Sequence, residues 1–373
     1  MTLEKILNKE KFDKDDLIRL LSIEDHTELE QLRVAAYETM LRHSGDNVYF
    51  RGLIEFSNVC TLDCLYCGIR RSNKDLTRYT LSRKEIVDSA MYCAEIGYGS
   101  LVLQSGERRD DNFIAFLTEI ITEIKTKSRS AALPEGLGIT LSVGEQTFDN
   151  YQRLFNAGAH RYLLRIEASN PKLFAKIHPA EQQYATRLQA LKDLKAAGFQ
   201  LGTGVMIGIP GQTIEDLASD IMFFKEIDAD MIGMGPYITH HATPMCSFMD
   251  ENQQKSNYNF QMALKMIAVT RLYLKDVNIA STTALQALDP LGREEGLRYG
   301  ANVVMPQATP LAVRNKYLLY EGKPCTEEST DMCFECLVSR VKSVGRTVGL
   351  NEWGDSIHFR KKTINVAVDT FQS

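Results

Sequence analysis

The chain has 373 residues, 44% of them hydrophobic and 24% charged, with a formal charge of −5. That balance suits a folded protein with a sizeable core and excludes the basic footprint of a nucleic-acid binder. The first residues, MTLEKILNKEKFDKDDL, lack an apolar targeting core and no run is long enough to span a bilayer, so the expected setting is cytoplasmic, with neither a membrane nor a nucleic-acid partner.

Residues 1–49 read as two or three short amphipathic helices, with Leu17, Leu20 and Leu21 on one face and Leu32, Ala36 and Met40 on another. From residue 50 short apolar strands alternate with amphipathic helices. The expected strands are Leu53–Ser57, Leu101–Gln104, Ile139–Val143, Tyr162–Glu167, Leu201–Ile207, Met231–Gly235, Ile279–Thr282 and Asn302–Met305. Capping boxes at Ser82 with Glu85 and Thr213 with Asp216 start two of the helices, and Gly97, Gly158 and Gly198 end others. Residues 127–138 read as a loop insertion. Eight β/α units over about 250 residues fit an α/β fold of the (β/α)8 TIM-type barrel. A doubly wound sheet gives the same alternation; polar residues at many strand ends favour the barrel, which keeps its chemistry there. The barrel is assigned to 50–320 and a C-terminal extension covering one barrel end to 321–373.

The eight cysteines are unevenly spread, and in a reducing compartment they read as metal ligands or core thiols. Three of them, Cys60, Cys64 and Cys67, follow the first strand in the run FSNVCTLDCLYCG, a C-x3-C-x2-C spacing. A [4Fe–4S] cluster normally takes four thiolates, so three leave one iron open, and an open position marks a catalytic metal site. Such an iron suits S-adenosylmethionine (SAM), whose amine and carboxylate can chelate it. The competing reading is zinc with a remote fourth ligand, although no histidine lies near the loop in sequence. A second triad, Cys325, Cys333 and Cys336 in CTEESTDMCFEC, points to another iron–sulfur cluster, [2Fe–2S] or [4Fe–4S], or to zinc. Cys93 and Cys246 read as ordinary thiols.

Other strand ends carry polar groups. LQSGE places Gln104, Ser105 and Glu107 at the second; Arg165 and Glu167, two apart, share a face at the fourth. GIPGQT follows the fifth, with Met206 within it. His240 and His241 end the sixth, where structural roles are the plainer reading, and Thr282 and Thr283 end the seventh as a candidate anion anchor or as strand-end hydroxyls bonded to backbone.

The cysteine triad after strand one resembles the signature of the radical SAM superfamily. EFSNVCTLDCLYCGIRR, LVLQSGE, LSVGE, RYLLRIEASN, GIPGQTIEDL, GPYITHHATP, STTAL, ANVVMPQATP and YLLYEGKPC, spread over about residues 50–340, are similar to the HydE family of [FeFe] hydrogenase maturases. That resemblance implies a SAM-cleaving enzyme acting on an iron–cysteine synthon for the hydrogenase H-cluster, alongside the maturases HydG and HydF and a ferredoxin- or flavodoxin-type donor. It also implies that Tyr66, Gln104, Glu167, Arg187 and Met206, with Ser105 in the same turn as Gln104, line the SAM site. Arg165, Thr282, Thr283 and Tyr320 would face the substrate. Methylornithine synthase and biotin synthase are the neighbouring alternatives. An iron–sulfur electron or cluster carrier is a further one, but it leaves the polar strand ends without a purpose.

Overall fold

The computed structural model describes residues 2–248 and 257–370. Three helices, Leu3–Leu7, Lys14–Leu21 and His26–Ser44, precede the first strand. Leu17, Leu20, Leu21, Leu32, Ala36 and Met40 are all fully buried, as their helical spacing predicts. The longest of these helices packs on the helix Tyr258–Leu274.

Among the described residues the strands are β1 (Asn47–Ser57), β2 (Ser100–Ser105), β3 (Gly138–Ser142), β4 (Arg161–Leu163), β5 (Gln200–Thr203), β6 (Met206–Ile207), β7 (Met231–Ile232), β8 (Gly235–Pro236), β9 (Asn278–Ile279), β10 (Val303–Val304) and β11 (Thr347–Gly349). Eight pair in parallel in the order β10-β1-β2-β3-β4-β5-β7-β9. A bridge between Ala280 and Val303 joins the two ends of that order. The Ser281 amide donates to the Val303 carbonyl at 2.8 Å and the Asn302 amide to the Ile279 carbonyl at 2.9 Å. The sheet therefore closes on itself, and the expected eight-stranded barrel is the observed one.

Several expected strands differ in extent: the first begins six residues earlier, at Asn47, and the seventh ends at Ile279 rather than Thr282. The fourth stops at Leu163, and Glu167 rejoins the sheet only through a bridge to Val205 with a left-handed φ of 63°. The fifth and sixth each break in two, so that β6 pairs with β8 apart from the barrel ring. Each break falls at a glycine, Gly204 and Gly233, and β6 and β8 resume the register of β5 and β7; a Cβ on Gly204 would stand 1.9 Å from the Gly233 carbonyl oxygen, so only glycine lets the two chains lie this close. Both expected capping boxes are complete, and a third, Asp13 with Asp16, starts the second helix. Gly97, Gly158 and Gly198 have φ of 89°, 115° and 98°, the left-handed ends expected of them.

The C-terminal extension serves both barrel ends rather than one. Its approach crosses the C-terminal ends of the strands, where the Gly68 amide donates to the Leu319 carbonyl at 2.9 Å. The helix Thr330–Ser343 then descends the outer wall, with the Phe334 ring edge-on to Phe50 at 6.3 Å. Next, β11 pairs with the start of β1, and residues 353–356 seal the opposite end. There Asp355 meets Arg161 at 2.5 Å, and the Trp353 indole N–H donates to the Gly136 carbonyl at 2.7 Å. The expected loop at 127–138 is thus the seat of that seal, with Leu133 and Leu137 buried in it.

Beyond the seal, His358 sits between two carboxylates, Nε2 at 2.6 Å from Asp228 and Nδ1 at 3.3 Å from Asp276, which also receive Lys195, Lys361 and Lys362. Hydrogen bonding to Asp276, against some burial, raises the His358 pKa. A raised folded pKa stabilises fully below the unfolded value near 6.5 and is lost as pH rises through the folded one. His358→Gln is therefore expected to lower stability by about 1 kcal/mol between roughly pH 4.5 and 6. The deficit should fade at alkaline pH when wild type and variant are compared by thermal denaturation; a deficit independent of pH would contradict it.

Candidate active site

Residues 58–73, which follow β1, form neither helix nor strand, so their backbone groups need partners from elsewhere. Arg78 supplies many. Its guanidinium donates to the carbonyls of Asn58 at 2.6 Å, Ile69 at 2.8 Å, Arg70 at 2.6 Å and Asn73 at 3.1 Å. The Asn58 side chain ties the same loop to Thr77 and Lys316, and Asp63 pairs with Arg70 at 2.7 Å. Cys60, Cys64 and Cys67 hang from this frame beside the C-terminal mouth of the barrel. Backbone amides of Leu62 and Glu107 both point at Cys60 Sγ at 3.4 Å, an arrangement that favours a sulfur carrying negative charge. Gly106, in the turn after β2, permits this approach, since a Cβ there would lie 2.4 Å from the Val59 carbonyl oxygen and 2.7 Å from Cys60 Cβ. Burial pushes all three thiols up, Cys67 to about 12, so deprotonation here needs positive charge brought in from outside the chain.

Among the described residues no three His, Cys, Asp or Glu side chains converge on a single-ion site. His178, the nearest histidine to Tyr66, has both ring nitrogens engaged, Nδ1 donating to the Phe174 carbonyl at 2.8 Å and Nε2 facing the Tyr66 hydroxyl at 3.4 Å. His240 accepts the Ala242 amide on Nδ1 and shapes its own turn, in keeping with the structural reading. Neither supplies the fourth ligand that the zinc reading needs.

Below the thiols lies a cavity of about 350 Å3. Cys60 and Cys67 form part of its wall, together with Tyr66, Gln104, Ser105, Glu167, Arg187 and Met206. Arg165, Thr282, Thr283 and Tyr320 line it as well. All the side chains expected at the SAM and substrate sites thus share one chamber with the cysteine loop. Arg165 Nη2 stands 2.9 Å from Glu167 Oε2, close enough to pair but not aligned for a hydrogen bond. Arg165 Nε, Glu167 Oε2 and Thr282 Oγ1 are buried polar atoms with no hydrogen bond within the protein, which leaves them able to meet a polar ligand. Thr283 instead accepts from Arg293 at 3.1 Å.

Three contributors escaped the sequence reading. Glu145 receives Arg187 Nε at 2.6 Å and Arg109 at 2.8 Å, and its amide donates to Glu107 at 2.8 Å. The motif LSVGE contains it, but only the fold brings it against Arg187. Lys323 is paired with Glu55 at 2.5 Å, both nearly without exposure, which ties the C-terminal approach to β1. Tyr317 accepts from Gln104 at 3.3 Å, fixing that amide's orientation. Lone charged or aromatic residues in loops carry no spacing signal that would have found them.

The second triad lies outside this chamber. Cys333 is buried and its thiol donates toward Cys325, favouring the Cys325 thiolate, whereas Cys336 is exposed and accepts from Arg340 at 3.3 Å. Cys93 is buried on the outer wall of β1, near Gly52, and Cys246 lies in a 3-10 turn.

A family model described as the radical SAM superfamily matches residues 54–224. The [FeFe] hydrogenase maturase subunit HydE of Thermotoga maritima is 42% identical over 94% of this chain and 96% of its own. A 3-methylornithine synthase of Methanosarcina acetivorans is 27% identical over 81% of each chain. Among solved structures, methylornithine synthase aligns with a TM-score of 0.76 at 24% identity, covering 94% of this chain and 98% of that one, which speaks to the fold.

Gly106→Ala places a methyl against the Val59 carbonyl and Cys60. The expected cost is about 1–3 kcal/mol of overpacking, taken up by the cysteine loop. Iron bound per chain after anaerobic reconstitution should fall while far-ultraviolet circular dichroism stays unchanged; full iron retention would show that the loop tolerates the displacement.

Proposed function

The chain belongs to the HydE family of radical SAM [FeFe] hydrogenase maturases, and on that premise we propose that its chamber holds SAM beside a [4Fe–4S] cluster and a small iron–cysteine synthon deeper in the barrel. The observation that carries this reading is the convergence of the cysteine loop, the Arg187–Glu145 pair and the unpartnered atoms of Arg165, Glu167 and Thr282 on one enclosed space. The donor set suits the cluster: three thiols in one loop, two amides already aimed at one sulfur, and a chamber opening where a fourth ligand would stand. Cys60, Cys64 and Cys67 would hold it. When bound, the cluster supplies an electron that divides SAM into methionine and a 5′-deoxyadenosyl radical, chemistry outside the reach of side chains.

The chain's own residues position and shield. Glu145 fixes Arg187, whose Nη1 also donates to the Arg165 carbonyl, so one guanidinium links the ends of β3 and β4 beside the SAM-binding space. Burial opposes the Arg187 charge and Glu145 restores it, leaving a rigid cation for a carboxylate or ribose hydroxyl to meet. Burial holds the Tyr66 hydroxyl protonated, so its ring and O–H face the ligand as a neutral wall. Glu167, held at positive φ, points its carboxylate into the chamber, a conformation maintained at some cost in backbone strain. Leu53, Leu163, Leu164, Met206 and Ala280 line the apolar remainder, which keeps water from a reactive radical.

We assign a second iron–sulfur cluster to Cys325, Cys333 and Cys336, supported by the contact between the first two thiols and by the helical spacing of the last two. HydG, HydF and a low-potential electron donor complete the proposed system. The cytoplasm is the proposed compartment, since all eight cysteines are free thiols. No helix among the described residues is long and apolar enough to cross a membrane.

Cys64→Ser is expected to abolish formation of methionine and 5′-deoxyadenosine from SAM with dithionite; retained turnover would remove the cluster assignment. Wild-type protein, added with the partner maturases, should activate apo-hydrogenase. Intact SAM cleavage without activation would move the substrate to another small amino-acid-like molecule. Arg187→Lys should raise the KM for SAM by about tenfold with a smaller change in kcat, because lysine cannot bridge Glu145 and the Arg165 carbonyl together.

A further inference from the structure

The closed end of the barrel, opposite the cysteine loop, has an imbalance of charge and of donors. Arg51 and Arg161 reach into it from β1 and β4, and neither has any solvent exposure. One carboxylate is present, Asp355, and it pairs with Arg161. Arg51 has no carboxylate partner; its guanidinium reaches only the Gly354 carbonyl at 3.1 Å and the sulfur of Met231. His160 adds no charge of either sign, since burial drives its pKa down to about 3 and keeps it neutral. Arginine keeps its proton in proteins, so a net positive charge is enclosed. Such a charge is costly unless something neutralises it.

Besides Gln200 Nε2, opposite Arg161 on β5, three polar atoms there have no hydrogen-bond partner in the protein: Arg51 Nε, Arg161 Nη2 and Ser100 Oγ. Register places them together. Arg51 stands opposite Ser100, and Ser100 opposite Gly138, so these positions share the inner face of adjacent strands. Gly138 brings these groups close, since Arg161 Nη2, His160 Cε1 and Ser100 Cβ lie 2.8, 3.0 and 3.0 Å from where a Cβ would be, leaving no room for a side chain there. All three unpartnered atoms can donate, and the two guanidinium groups can only donate. Water satisfies donors and acceptors in balance; a cluster of donors around excess positive charge selects an anion.

We propose that the barrel floor binds one small monovalent anion of chloride size between Arg51 Nε, Ser100 Oγ and Arg161 Nη2, enclosed by residues 353–356. The site is separate from the chamber of the cysteine loop and needs none of its residues. The anion fixes the C-terminal seal, because Arg51 and Arg161 hold Gly354 and Asp355 with their remaining N–H groups.

The test compares thermal unfolding of the reconstituted full-length protein in sodium chloride and in sodium gluconate, whose anion is too large for the site, at equal ionic strength. Over a roughly hundredfold range of chloride the midpoint should rise by about 3 °C above that in gluconate. Ser100→Ala should shift that dependence to higher chloride, and Arg51→Met should remove it. A crystal grown in bromide should show an anomalous peak between the three atoms. Equal midpoints in the two salts, an unchanged chloride response in Ser100→Ala, or electron density for water without a bromide signal would each overturn the proposal. If Arg51→Met does not fold, Ser100→Ala and the bromide crystal decide alone.

Discussion

The open end of the barrel depends on the guanidinium of Arg78. A loop that must present three thiols within one small volume cannot also satisfy its own carbonyls through a helix or a ladder, because either would spread the sulfurs apart. Arg78 resolves that conflict by gathering carbonyls from both ends of the loop, Asn58 on one side and Ile69, Arg70 and Asn73 on the other. Hydrogen bonds from a charged donor are each worth about 1.5–3 kcal/mol, enough to outweigh the entropy of ordering a few residues. The Arg78 contacts hold the loop without touching the thiols, which take their own partners separately, Cys60 from the Leu62 and Glu107 amides and Cys64 from Gln182. The loop's geometry is thereby settled by the polypeptide, whatever occupies the sulfurs.

The two ends of the barrel treat charge in opposite ways. At the open end cations are matched: Arg187 by Glu145, Arg165 by Glu167 and Lys323 by Glu55. These pairs leave the chamber near neutrality, so a bound zwitterion or a metal-bearing ligand meets directed dipoles rather than a net field. At the closed end two guanidinium groups face one carboxylate: Arg161 pairs with Asp355, and Arg51 has no carboxylate partner. The cost there is confined beneath the barrel's apolar layers, away from any reacting group.

Much of this was readable from the residues. Short apolar runs located all eight barrel strands, and capping boxes and helix-ending glycines located helix boundaries, because both signals are local. The cysteine spacing was equally local, as were Arg165 and Glu167, which stand two apart. What could not be read depended on contacts between distant segments. The split of β5 from β6 and of β7 from β8 falls where Gly204 lies against Gly233, a close approach between distant segments with no sequence signature of its own. Glu145 looked like one more residue in a turn until Arg187, on a helix one β/α unit later, was brought against it. The extension was expected at one end of the barrel, and its second task, sealing the other end, rests on Asp355 meeting Arg161 across 194 residues.

That extension makes the two ends interdependent. Lys323 comes from it to neutralise Glu55 inside the chamber, Phe334 packs on the outer wall, and β11 adds to β1 before Asp355 reaches the floor. A barrel without it would keep Glu55 buried and unpaired at one end and Arg161 at the other. Breaking a buried pair by removing one partner costs about 3–5 kcal/mol, so two such losses would consume most of the stability a domain has. Closure must also wait for the last strand pairings, β10 and β11 on β1, which join the beginning of the barrel to segments more than 250 residues later. Pairings of such separation form late in folding because loop closure is costly. The cysteine loop combines both kinds of contact: Arg78 holds it from within residues 58–78, while Asn58 donates to the Lys316 carbonyl and Gly68 to the Leu319 carbonyl. The loop's final geometry therefore depends on the same distant segments that close the chamber, so the thiols take their places only as the barrel is completed around them.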